Sequence, residues 1–247
     1  MTLILEKPEK EVNKIENFIK TIFVKTGFKK AIVAVSGGID SALSCTLLCQ
    51  ALGFENVIPV LLPYGSQSSI DGKLLCKWNK IPEDNWQEIN IKKIVDQIKE
   101  SQNIGDDKLR LGNVMARTRM IILYDLAKKY NCLVCGTENK SEKYLGYFTR
   151  FGDAASDLEP IEHLYKTQVQ QLARFLNLSE NILNKRPSAE LWDGQTDETE
   201  FGFTYDEADR VMENELEGVP GETVKKILKR IESQKFKQLV PYKLINN

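Results

Sequence analysis

Residues 31–41 read Ala31-Ile32-Val33-Ala34-Val35-Ser36-Gly37-Gly38-Ile39-Asp40-Ser41, and residues 42–52 continue with helical period. The small and β-branched run predicts a buried strand, Ser-Gly-Gly a tight loop, and the periodic stretch beyond it a helix. Two glycines let backbone N–H groups approach an anion closely. The helix N-terminus behind them adds partial positive charge, a combination suited to a pyrophosphate. Asp40 then stands where it can hold the Mg²⁺ that accompanies such a group. The lysine-bearing P-loop pattern is absent: the loop has no lysine, and six residues separate Gly65 from Gly72-Lys73 where that pattern needs four.

Working outward, apolar runs at 57–62 and 133–136 alternate with helical patterns at 12–23 and 114–130. Residues 86–91 are a weaker strand candidate, followed by a helix at 94–100. This alternation predicts an α/β fold, a parallel twisted sheet flanked by helices in the Rossmann-like manner. After Gly146 the pattern changes. Residues 146–160 are rich in Gly and Asp, 165–176 are helical, and 186–202 are polar and irregular, long segments of the kind that carry function or are disordered. With no repeat or Pro/Ser-rich linker, residues 1–247 are expected to form a single domain.

The 34 Lys and Arg balance 35 Asp and Glu, so neither a nucleic-acid footprint nor an acidic tail is present. The N-terminal residues Glu6, Lys7, Glu9, Lys10 and Glu11 are unlike a signal peptide, and no apolar stretch reaches the roughly 20 residues that span a bilayer. A cytoplasmic protein without a membrane or nucleic-acid partner is expected. Among five cysteines, Cys132 and Cys135 form a CxxC in an apolar run without companion ligands, which reads as packing rather than zinc. The sole histidine, His163, reads as a polar residue at a helix start, and Trp78, Trp86 and Trp192 as packing anchors.

The Ser36–Ser41 segment resembles the signature of the ATP pyrophosphatase (PP-loop) family, which implies ATP as co-substrate and AMP and pyrophosphate as products. Within that family, residues 113–120 (NVMARTRM), 136–142 (GTENKSE), 146–157 (GYFTRFGDAASD), 164–169 (LYKTQV) and 187–202 resemble the ammonia-dependent NAD synthetases. That resemblance implies a carbon–nitrogen ligase that adenylates the carboxylate of deamido-NAD and then amidates it with ammonia. It also implies a homodimer with the substrate site at the interface. The phosphate loop begins after only 35 residues and synthetase motifs fill most of the chain beyond it, so no separate glutaminase domain is expected.

The resemblance assigns ATP to Ala34, Val35, Ser36, Gly37, Gly38, Ile39, Asp40, Ser41, Gln67, Thr137, Lys166 and Ser188, with Asp40 and Lys166 catalytic. Mg²⁺ falls to Asp40 and Glu142. Taken alone, Glu142 between Lys140 and Lys143 reads as a solvated charge, and Lys166 as a surface lysine; the motifs reverse both readings. A lysine is nonetheless what charge building at the α-phosphate requires. Arg117, Arg150, Asp157 and Lys237 are the implied substrate contacts. Arg119, two residues from Arg117 on a helix, faces another side. Phe236 stands where the family commonly has His beside Lys237, and Leu61 where some members have Arg. Two rival readings are a tRNA-thiolating relative, which Cys132 and Cys135 superficially suit, and a nucleotide-binding regulatory domain without turnover.

Overall fold

The computed structural model describes residues 3–188, 191–192, 194–239 and 242. Helix α1 (Pro8–Thr26) begins on a proline, whose missing N–H costs nothing there, and ends at Gly27 with a left-handed φ of 79°. The sheet-forming half comprises β1 (Lys30–Ala34), α2 (Ile39–Leu52), β2 (Val57–Leu61), α3 (Ile70–Trp78), β3 (Gln87–Glu88), α4 (Lys92–Ser101), α5 (Lys108–Tyr130) and β4 (Cys132–Cys135). The second half is helical: α6 (Lys140–Leu145), α7 (Lys166–Phe175), α8 (Glu180–Leu183), α9 (Asp197–Phe201), α10 (Tyr205–Met212) and α11 (Gly221–Gln234).

The four strands are parallel and ordered β3-β2-β1-β4, as the alternation predicts. Side chains of β1 alternate between two helical layers. Ala31 and Val33 join Leu133 and Cys135 beneath α1, α2 and α7, whereas Ile32 joins Ile58, Val60 and Val134 beneath α4 and α5. A third cluster, including Leu145, Phe201, Tyr205 and Ile227, binds α6, α9, α10 and α11 together.

Four expectations need adjusting. The strand expected at 86–91 has only two ladder residues, because polar Gln87 and Glu88 lie on the sheet edge; Ile89 N and Ile91 N still donate to Leu61 O and Pro63 O at 2.9 Å each. Irregular 146–160 is anchored at its end, where Leu158 bridges in parallel to Cys135. Within 186–202, Thr196 caps α9 and buries Asp197 and Phe201. Trp86 packs as expected, its Nε1 donating to Ile81 O at 3.1 Å, but Trp78 on α3 is exposed.

Strand β1 lies between β2 and β4, so the connection from β1 runs to one side and β4 arrives on the other. In open α/β sheets, ligands bind in the crevice such a reversal leaves at the carboxyl ends of the strands. Here that crevice lies between the loop after β1 and the segment after β4.

Candidate functional site

The loop after β1 is organised by its own serines. Ser36 Oγ and Ser41 Oγ lie 3.1 Å apart, Gly38 N donates to Ser36 Oγ at 3.1 Å, and Ser41 Oγ donates to Gly38 O at 3.0 Å. Gly37 has a φ of 82°, and a Cβ there would lie 2.6 Å from Asp71 Cβ, so only glycine lets the loop pass this close to α3. No side chain among the described residues caps α2, and its N-terminus opens on the crevice with Asp40 in the first turn. An uncapped helix start of this kind is a ready receptor for phosphate oxygens.

Across the crevice, Gly136 ends the β4 segment. A Cβ there would sit 1.8 Å from Glu159 Oε1, so the backbone must be bare for that carboxylate to tuck in. Asn139 then caps α6, accepting from Glu142 N at 2.9 Å while its Nδ2 donates to Asp40 Oδ1 at 2.8 Å. One side chain thereby ties the two loops together.

Lys166, the first residue of α7, is only 2% exposed. Its Nζ donates to Asp40 Oδ2 at 2.5 Å and Glu142 Oε1 at 2.9 Å, and lies 5.1 Å from the centre of the Tyr205 ring. Burial disfavours its charge, but Asp40 and Glu142 outweigh that and hold the ammonium protonated well above the usual lysine range. Burial pushes the Glu142 carboxyl up to about 8, against the pull of Lys166. Both residues read as ordinary surface charges in isolation, but Lys166 is an interior group and Glu142 is half-buried beside it.

Two adjoining cavities share Ser36. The first is lined by Ala34, Val35, Ser36, Leu61, Gln67 and Arg119. The second, about 150 Å³, is lined by Ser36, Gly38, Ile39, Asp40, Ser41, Thr137, Glu142, Lys166 and Ser188, together with Glu138 and Asp197. All the residues expected to meet ATP thus fall on this crevice, Gly37 as part of its loop. Arg119 is an unexpected lining residue: its Nε donates to Leu62 O at 3.1 Å and its Nη2 to Gln67 Oε1 at 3.3 Å. It continues the sheet-facing stripe of buried Met115 and Leu123, and a charge on such a stripe is the signal that would have found it.

The other four expected contacts stand apart from this centre. Arg117 is exposed and donates through Nε to Arg150 O at 3.3 Å, and the Arg150 guanidinium lies 5.3 Å from the Phe236 ring centre. Lys237 Nζ donates to Gly146 O at 2.5 Å and Phe148 O at 3.0 Å. Asp157 Oδ2 accepts from Val134 N at 2.7 Å. His163 precedes α7 and pairs through Nε2 with Glu11 Oε1 at 2.7 Å, away from the crevice. Cys132 and Cys135 are buried, and burial raises both thiols, Cys132 to about 11. Among the described residues, no group of three His, Cys, Asp or Glu is placed to hold a metal by itself.

A crevice with a bare helix start on one wall and a buried cation on the other is shaped for a polyphosphate, and the chain is a nucleotide-binding α/β protein of the PP-loop class. The family model for NAD synthase matches residues 11–241, and the chain belongs to that family. It is 44% identical to an NH(3)-dependent NAD(+) synthetase from Fusobacterium nucleatum, with 94% of each chain covered. Among solved structures it superposes on an NMN synthetase from Francisella tularensis with a TM-score of 0.87 at 32% identity, covering 97% of this chain and 98% of that one. It also superposes on an NH3-dependent NAD synthetase from Campylobacter jejuni with a TM-score of 0.81 at 31% identity, covering 98% and 100%. No described helix is long and apolar enough to cross a membrane.

Proposed function

We propose that this chain is an ammonia-dependent NAD synthetase, an ATP-consuming ligase that converts deamido-NAD to NAD. The observation that carries the reading is the convergence of Asp40, Glu142 and Lys166 beside the uncapped N-terminus of α2. A carboxylate oxygen of deamido-NAD attacks the α-phosphorus of ATP and pyrophosphate leaves; ammonia then attacks the acyl carbon, AMP leaves, and the nitrogen sheds a proton. Lys166 neutralises charge at the α-phosphate, and the N–H groups of the loop and α2 hold the phosphate oxygens as charge shifts to the leaving pyrophosphate. The rest of the catalysis is positioning.

Asp40 and Glu142 fit Mg²⁺. Both carboxylates line the cavity at the start of α2, and two hard carboxylates plus substrate phosphates are a donor set this ion takes. When bound, it would supply charge neutralisation on the polyphosphate. Ala34, Val35, Gln67 and Arg119 would face the nucleoside, and Arg117, Arg150, Asp157 and Lys237 the dinucleotide, with a second copy of the chain completing that side in a homodimer. A synthetase domain acting in the cytoplasm on free ammonia belongs to the same reading.

A second reading is favoured by the TM-score of 0.87 with a protein described as an NMN synthetase: the acid amidated is then the mononucleotide. Product analysis separates the two. With ATP, Mg²⁺, ammonium and each acid in turn, the proposal expects NAD, AMP and pyrophosphate in equal amounts and a higher kcat/KM for deamido-NAD; preference for the mononucleotide acid supports the second reading, and ADP with phosphate overturns both. Replacing ammonium by ammonia-free glutamine should abolish product. Asp40→Asn should stop pyrophosphate release with the fold intact, and near-normal turnover would remove Asp40 from the site.

A further inference from the structure

We infer that Asp209, a residue in α10 that touches no part of the crevice, is the positioning residue that aligns Lys166 with Glu142. Its side chain is fully buried. Its Oδ1 accepts from Ser141 Oγ, and its Oδ2 accepts from Thr167 N at 3.0 Å and Thr167 Oγ1 at 2.8 Å. Ser141 Oγ in turn accepts from Lys166 N at 2.8 Å.

One carboxylate therefore fastens the first turn of α6, where Ser141 precedes Glu142, to the first turn of α7, where Thr167 comes after Lys166. It also supplies negative charge at the amino end of α7, where backbone N–H groups lack helical partners. Lys166 and Glu142 meet at 2.9 Å only if these two helix starts keep a fixed offset, to which the bond from Lys140 N to Leu164 O at 2.8 Å also contributes. A carboxylate suits the task because all three protons around it are donated inward; an amide would present its own N–H to one of those donors.

This inference rests on the ligase reading, and the test separates the two. Wild-type protein is assayed first for AMP and pyrophosphate formation; if it makes neither, the ligase reading fails and Asp209 is not judged by activity. With active wild type, Asp209→Asn should lower kcat by about tenfold to a hundredfold, the range expected when a reacting group shifts by up to an ångström. ATP affinity, measured by equilibrium titration, should fall by no more than about threefold, because Lys166 is only one of the residues expected to meet ATP and the others are not moved. Ser141→Ala, which keeps both Thr167 bonds, should fall in the same sense by a smaller factor.

Two results would overturn the inference. One is a kcat within twofold of wild type for Asp209→Asn that is folded at the assay temperature. The other is loss of kcat and ATP affinity in parallel, which marks a general structural role. If Asp209→Asn does not fold, Ser141→Ala decides alone: unchanged kcat rejects the proposal.

Discussion

The crevice centre and the segment around Arg150 are built in opposite ways. Around Lys166, buried at 2% exposure, two carboxylates and an asparagine close a network of side chains that bond one another. Around Arg150, by contrast, Arg117 is exposed, and Arg150 rests on an exposed Phe236. A low-dielectric interior strengthens each ionic contact and freezes its geometry, whereas solvent screens the exposed group. The first region is held by ion pairs between side chains; in the second, Arg117 and Lys237 donate to backbone carbonyls instead.

The sharpest way to break that contrast is Lys166→Met. It leaves Asp40 and Glu142 facing each other without a cation, so about 3 kcal/mol of stability should be lost in chemical denaturation, and kcat should drop by about a thousandfold. A variant of normal stability and turnover would show the network to be ornamental.

Next in size is Arg150→Ala. If the outer region only binds substrate, KM for the dinucleotide should rise about tenfold with kcat and ATP affinity nearly unchanged. An equal fall in kcat would instead place Arg150 with the transition state.

A smaller effect separates the two regions by pH. Burial raises Asp209 to about 6 from an ordinary 3.8, so the fold favours its protonated form. That contribution is present below about pH 3.8 and is lost as pH rises through about 6. Melting temperature should therefore fall across this window in wild type, despite the stabilising pull of Lys166 on the ionised form, and less so in Asp209→Asn. Arg150→Ala should leave the slope unchanged; identical slopes in wild type and Asp209→Asn would contradict the assignment.

The smallest effect on activity is expected from the Cys132→Ser, Cys135→Ser pair, which should keep kcat within about twofold while losing roughly 1–3 kcal/mol per buried hydroxyl. Stoichiometric zinc in the purified protein would defeat the packing interpretation.

What could be read directly was local. The apolar run into Ser36-Gly37-Gly38 and the periodic helix after it are near neighbours along the chain, so composition and spacing suffice for strand, loop, helix and phosphate receptor. The resemblance extended this to Glu142 and Lys166, which composition alone leaves as surface charges. The pairing order β3-β2-β1-β4 determined where the phosphate loop and the β4 segment meet, a long-range fact that periodicity does not encode. Burial of Lys166, the turn of Arg119 into the crevice and the grip of Asp209 on two helix starts were likewise decided by tertiary structure. Each depends on residues tens of positions apart being brought within hydrogen-bond reach, and a charged side chain announces its type in sequence but not the dielectric it will occupy.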